Sequence, residues 1–510
     1  MFRENEILIT GGNGFLGKVI LAMLLDRYPA LKHLHVLLRP GRGLSAAERF
    51  ETEVMESPVM AALVASRGEK FVHEKISIWP GELSKPGCGL DEKALKIIAS
   101  RVKLIINCAG KVEFFPPVDE SLQANVDGVE NAIALAKHAG ARLLHVSTCF
   151  VSGEANGLIE ETEPILGFYP HRKGAGDDAF DALHELDYCR GQIRLITESE
   201  AEEKAGTRSK ETAQKLVALG KRRAEHWGWV NTYTYSKSLG EQLIAREKDL
   251  DWAIVRPAIV ESSLRFPFPG WIEGGRTAAP LVLMAMGGLK HWPVRRSTPL
   301  EVVPVDLVAA AILAVGALLL DGRSENVYQL GTADVNPIKL GPLVNLLRQE
   351  ARKRADRNGK ARIPARIAGS LSRTRFISID QARARRQRLE KRLQRAQAIL
   401  DRMHNAVKNS RLPGKKSLAV WKNALRTLGL QARFREQTLD QYLPFILYNR
   451  YIFESENIRT AYERLSEKDK LLLPWDPERI HWKNYWIHHQ IEGIERWVQP
   501  EAVKEWTFKI

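Results

Sequence analysis

Short runs of Ile, Leu and Val alternate through the first third of the chain with stretches whose apolar residues recur every three or four positions. The runs Glu6–Thr10, His33–Leu38, Ile76–Trp79, Leu104–Cys108 and Leu143–Phe150 predict strands, and Lys18–Arg27 and Leu122–Ala139 predict helices. The strand runs are apolar rather than alternating, the pattern of a parallel sheet covered on both faces. From about 154 to 230 the rhythm breaks, and a polar stretch with Gly167, Pro170, Gly174 and Gly176 leads into charged helical sequence. It reads as an inserted helical cover over one edge of the sheet. A strand at Asp251–Arg256 and an apolar helix at 306–320 carry the α/β pattern to about residue 345. Three domains are expected: a core over 1–345, a connecting segment over 346–416 and a helical C-terminal domain, rich in Trp, Tyr and Leu, over 417–510.

The connecting segment changes the meaning of the charge. The 510 residues hold 76 Lys and Arg against 61 Asp and Glu, a net +15. Arg348–Lys416 alone holds 22 basic and 5 acidic residues, so the rest of the chain is close to neutral. Within it Leu389, Leu393, Ala396, Leu400, Met403 and Val407 recur at alternating spacings of four and three, which predicts one amphipathic helix with Arg and Lys on its outer face. Nucleic acid is not an expected partner, because the segment offers one aromatic residue for stacking, Phe376, and no reader motif. The charge suits a phosphate-bearing or lipid-borne partner, and simple solvation of a surface helix is the competing reading.

Cys88, Cys108, Cys149 and Cys189 lie far apart, with no CxxC pair and no His at ligand spacing. Neither a disulfide framework nor a metal site is expected. The chain enters an apolar run at Ile7, leaving no room for a signal peptide. Its longest uncharged apolar run, Leu307–Leu320, falls short of the roughly 20 residues that a membrane span needs. These features predict a soluble, cytoplasmic protein.

Gly11-x-x-Gly14-x-x-Gly17 stands between a predicted strand and a predicted helix. Such glycines allow a tight turn, close approach of a pyrophosphate and close helix–strand packing, and the helix N-terminus adds free N–H groups. A Rossmann-type, doubly wound sheet that binds a dinucleotide is predicted. The second strand ends in Arg39, with Arg42 close behind and no carboxylate, so a 2′-phosphate and hence NADPH is the expected cofactor. Tyr233-x-x-x-Lys237 places a phenol and an ammonium one helical turn apart, a pair able to move a proton at a carbonyl oxygen. Tyr235 has Leu239 at the same offset and lacks that partner. A third group is expected at the end of a central strand, where Ser147 and Thr148 both offer hydroxyls.

Thr10–Gly17, Asn107-Cys108-Ala109-Gly110, Val146–Thr148 and Tyr233–Lys237 together resemble the extended short-chain dehydrogenase/reductases. Ile254–Val260, Pro267–Ile272 and the tail from Pro444 to Ile494, with Asn457-Ile458 and Trp482–Trp486, resemble more narrowly the bacterial alcohol-forming fatty acyl-CoA reductases of the male-sterility family. The likeness covers roughly residues 6–345 and 440–498. It implies Thr148, Tyr233 and Lys237 as catalytic residues, with Asn125 beside them. It implies cofactor contacts from Thr10, Gly11, Asn13, Gly14, Phe15, Leu16, Gly17, Arg39, Arg42, Leu83, Ala109, Gly110, Tyr233, Lys237, Pro257, Ile259 and Val260. Glu82 stands where the family usually has Asp, and 85 residues separate Thr148 from Tyr233, room for a cover over a long acyl chain.

The implied reaction is reduction of a long-chain acyl-CoA by two NADPH, through an aldehyde, to a primary alcohol. A reductase that stops at the aldehyde, one that takes acyl-carrier-protein thioesters, and a dinucleotide-sensing scaffold are the alternatives. An acyl carrier protein and peripheral contact with the inner membrane face through the basic segment are further candidate partners. Acyl transfer to Cys149 is disfavoured, since the local sequence offers it no activating neighbour.

Overall fold

Ile7, Leu8 and Ile9 are fully buried, as are the corresponding centres of the neighbouring strands, and this burial on both faces holds the sheet together. The computed structural model describes residues 1–41, 43–174, 177–201, 208–275, 278–286, 289–357, 374–408, 420, 423, 425–426, 429 and 436–498. They divide into two compact units, one of the described residues within 1–274, 301–337 and 451–493, the other of those within 275–300, 338–450 and 494–498.

The first unit is built on seven parallel strands: β1 (Glu6–Thr10), β2 (His33–Leu38), β3 (Ile76–Pro80), β4 (Val102–Asn107), β5 (Arg142–Val146), β6 (Trp252–Pro257) and β7 (Val327–Leu330). Their order, β7-β6-β5-β4-β1-β2-β3, reverses direction between β1 and β4. This is the doubly wound topology, in which ligands bind beyond the strands' C-terminal ends at that reversal. Flanking helices include α1 (Phe15–Arg27), α2 (Glu92–Arg101) and α3 (Gly128–Ala139). In the inserted region α4 (Ala182–Ala201) and α5 (Lys210–Trp227) pack on each other, and α6 (Thr232–Ala245) follows, opened by Asn231, whose side chain accepts the Thr234 N–H at 2.8 Å. The apolar helix α7 (Val305–Leu320) is buried along nearly its whole length against α1 and the central strands, as a helix hydrophobic all round must be. Among the described residues no helix is long and apolar enough to cross a membrane.

Two expectations change at the site. The strand expected to reach Phe150 ends at Val146, because the Thr148 hydroxyl accepts the Phe150 N–H at 3.3 Å and caps a 3-10 turn over Cys149–Ser152. A hydroxyl that bonds nearby backbone competes with the sheet ladder. The helix expected over 122–139 widens into a π turn at Gln123–Asp127 before α3, and Asn125 lies in that turn. The C-terminal region within the first unit is largely helical, from Glu456–Glu463 to Tyr485–Ile491.

In the second unit Ala279–Met286 packs against α8 (Leu340–Arg357), and the basic segment supplies the thirty-residue helix α9 (Ile379–Lys408). The expected helix is therefore present. Leu389 and Met403, placed on its apolar stripe by their spacing, are instead exposed.

Candidate active site

The turn after β1 is closed by contacts only glycine permits. A Cβ on Gly11, whose φ is +72°, would lie 2.8 Å from the Ala109 nitrogen, and one on Gly17 would lie 2.1 Å from the Gly11 oxygen. Gly14, exposed, starts α1 with no side-chain cap and no acidic residue in the first turn. Phe15 and Leu16 follow, half-buried. The result is a bare, positively polarised helix end beside the sheet reversal, which fits the pyrophosphate of a dinucleotide. Thr10 stiffens the floor: its hydroxyl donates to Asn107 Oδ1 at 2.7 Å and accepts the Ala109 N–H at 3.2 Å. Asn107 Nδ2 in turn meets His145 Nδ1 at 3.2 Å, so β1, β4 and β5 are tied together at their C-terminal ends.

Asn13 Nδ2 donates to Glu53 at 2.7 Å, and Glu53 also takes two bonds from Arg49, at 3.0 and 2.8 Å. A further Arg49 nitrogen donates to the Arg39 carbonyl. The Arg39 side chain, largely exposed, lies 3.3 Å from Glu82. Arg42 lies outside the described residues. Arg49 was not foreseen, although Ser45-Ala46-Ala47-Glu48 carries a legible signal: it forms a capping box, with bonds of 3.2 and 2.7 Å, that starts the helix presenting Arg49. Hydrogen bonds from Lys85 and Arg39 outweigh burial and hold the Glu82 carboxyl below its ordinary range. Leu83 lies against the first residue of α3, Gly128.

Tyr233 and Lys237 sit one turn apart on α6. The Tyr233 phenol hydrogen-bonds Thr148, whose hydroxyl also faces the Pro257 carbonyl at 3.4 Å. Burial raises the phenol above its ordinary value, and the Thr148 bond pulls it partly back. The Lys237 ammonium, 3% exposed, donates to the Val146 carbonyl at 2.9 Å. A Cβ on Gly110 would come within 3.0 Å of it. Burial lowers Lys237 to about 8, against opposing fields from Cys108 and Glu241. Asn125 accepts the Lys111 N–H at 3.0 Å and donates to Ser236 Oγ at 2.9 Å, fixing the π turn against α6.

The competing groups point elsewhere. Tyr235 is fully buried, and its phenol bonds Glu185 at 2.5 Å and Cys189 at 3.2 Å. The Ser147 hydroxyl is buried and, among the described residues, without a partner. Cys149 donates to the Arg256 carbonyl at 2.7 Å, and burial pushes its thiol well above the ordinary value, so it is an inert core residue. Beyond β6, Ile259 and Val260 lie half-buried in a short strand paired with Val302–Pro304. The next loop reaches the cofactor cradle through Trp271, whose ring lies tilted against Phe15 with centroids 4.9 Å apart.

A bare helix end at the reversal of a doubly wound sheet, with a helix-borne phenol bonded to a hydroxyl just beyond a central strand, defines an extended short-chain dehydrogenase/reductase. Two solved structures share that fold: the terminal reductase domain of the myxalamid pathway, with TM-score 0.52, 16% identity and coverage of 94% of this chain and 91% of that one, and a nonribosomal peptide synthetase reductase domain from Mycobacterium tuberculosis, with TM-score 0.51, 19% identity and coverage of 96% and 91%. Residues 9–312 match the NAD-binding profile described as male sterility protein, and the chain belongs to that family, whose cofactor is a nicotinamide dinucleotide. Similar proteins include a probable fatty acyl-CoA reductase of Arabidopsis thaliana, 28% identical over 96% of this chain and 97% of its own length. An alcohol-forming fatty acyl-CoA reductase of Simmondsia chinensis is 28% identical over 97% of each chain.

Proposed function

We propose that the protein reduces long-chain fatty acyl-CoA to the fatty alcohol through an aldehyde, with NADPH as cofactor. The observation that carries this reading is the match, over nearly the whole of both chains, to relatives named fatty acyl-CoA reductases, one of them alcohol-forming. A reducing compartment such as the cytoplasm suits its four free cysteines.

Gly11, Gly14 and Gly17 with the first turn of α1 would hold the pyrophosphate, with Thr10, Asn13, Phe15, Leu16, Leu83, Ala109 and Gly110 around the dinucleotide and Pro257, Ile259 and Val260 at its nicotinamide end. Arg39, Arg42 and Arg49 are our choice for the 2′-phosphate. Arg49 is braced by Glu53 and the Arg39 carbonyl, which presets its fork. When bound, the nicotinamide supplies hydride to a carbonyl carbon. At the carbonyl oxygen Tyr233 and Thr148 donate hydrogen bonds that are worth most as negative charge develops. With a thioester the resulting adduct collapses and expels the CoA thiolate. With the aldehyde Tyr233 gives its proton to the oxygen and the alcohol leaves. Lys237 holds the ribose and keeps positive charge beneath the phenol, favouring the phenolate left behind.

The test is stoichiometry. Purified protein given palmitoyl-CoA and NADPH should oxidise about two NADPH per alcohol formed, since each reduction takes one hydride. Aldehyde as the end product would replace this reading with the two-electron one, and turnover only with acyl-carrier-protein thioester would change the carrier. No turnover with either substrate would leave a binding scaffold.

A further inference from the structure

The thirty residues of α9 form a rod about 45 Å long. One edge is held within its own unit: Leu393 and Leu400 are half-buried, and Arg386 pairs with Glu436 and Asp440, both at 2.9 Å. The face beside it is unusual. Arg385, Arg388, Arg392 and Arg395 are exposed there and, among the described residues, make no ion pair. Between them stand three large apolar side chains in water, Leu389 at 42%, Ile399 at 56% and Met403 at 49% exposure. At 3.6 residues per turn all seven fall within an arc of about 120°, which half-buried Ala396 enters between Met403 and Leu389.

Each half of that arc excludes a simpler explanation. A helix that only needed solubility would carry the guanidiniums without three exposed apolar chains among them. Free phosphates, including those of CoA, would meet the charge and leave the apolar chains unmatched. Nucleic acid would need stacking groups, and this face has no aromatic residue. One environment uses both: the boundary of an anionic bilayer, where guanidiniums sit at phosphate level and apolar side chains enter the acyl layer just below. We propose that the exposed face of α9 docks on an anionic phospholipid surface, the helix lying in the plane of the interface. Charge complementarity selects this occupant, and the interleaved apolar residues separate it from a purely ionic one.

The experiment is vesicle co-sedimentation of the full-length protein, with phosphatidylcholine alone and with phosphatidylcholine containing phosphatidylglycerol. Two variants are compared, L389S/I399S/M403S and R388E/R392E/R395E, with R388K/R392K/R395K as the charge-preserving control. All sites are exposed, and circular dichroism checks that each variant is folded. Wild type should sediment with anionic vesicles only, each of the first two variants should lose about tenfold or more in partitioning, and the lysine control should keep most of it. Wild type that stays in solution with both vesicles would overturn the proposal. So would a serine variant that binds like wild type, which would mean ionic capture alone, or an acyl carrier protein that binds this face in the absence of lipid and is lost with the same substitutions.

Discussion

Lys18, in the first turns of α1 and 4% exposed, has its ammonium gripped by both carboxylate oxygens of Glu273 at 2.7 and 2.9 Å. Glu273 lies two residues beyond Trp271, whose ring contacts Phe15. The helix that opens the cofactor cradle and the loop beyond β6 are thus fastened twice. Removing one member of a buried pair strands the other's charge, and Glu273 is partly exposed, so water recovers some of the loss. Glu273→Ala should destabilise the protein by about 1–2 kcal/mol and raise the cofactor KM more than it lowers kcat. Lys18→Met, which leaves no orphaned charge inside, should cost less stability. Urea unfolding with steady-state kinetics checks both, and an unchanged cofactor KM in Glu273→Ala would separate this pair from the cradle.

Tyr233→Phe should cut kcat by about a thousandfold while leaving stability nearly unchanged, since it removes a proton donor that bonds the Thr148 hydroxyl. Thr148→Ala should also lose activity, and some stability with the cap on Phe150. Ser147→Ala should be neutral to within about 0.5 kcal/mol and keep full turnover, because its hydroxyl is already unpartnered. A Ser147→Ala enzyme as impaired as Thr148→Ala would reverse the assignment.

Arg49→Ala and Arg39→Ala should each raise the NADPH KM by about ten- to a hundredfold and hardly alter that for NADH, because a charge-assisted contact to the 2′-phosphate is lost and nothing else of the dinucleotide changes. The ratio of kcat/KM for the two cofactors is the readout. Equal losses with both would mean the arginines act on the loop instead.

Burial lowers Lys237 to about 8, so the ammonium is intact at neutral pH and is lost as pH rises through that value. If its charge supports proton transfer, kcat/KM should fall on an alkaline limb near pH 8. Lys237→Arg, charged at all accessible pH, should be slower yet lack that limb. A limb at the same pH in the arginine variant would assign it to another group.

Much of this molecule is local in origin and therefore legible in its residue order. Continuous apolar runs specify buried parallel strands, three glycines at fixed spacing specify the turn, and a Tyr–Lys offset of four specifies one helix face; each depends on neighbours a few positions away. The tertiary structure decided what depends on distant partners. Glu185 and Cys189, about fifty residues back on α4, claim the Tyr235 phenol and leave Tyr233 to meet Thr148. Arg49 acquires meaning only when Asn13, forty residues before Glu53, bonds the carboxylate that Arg49 also holds. Buried Glu161 and Glu301 accept the N–H groups of Asn457 and Phe453 at 2.7 and 2.8 Å, drawing residues 451–493 into the same unit as the sheet. Spacing alone put Leu389 and Met403 on an apolar stripe, and the fold left them in water, because whether a helical face is covered depends on what packs there and periodicity carries no record of that.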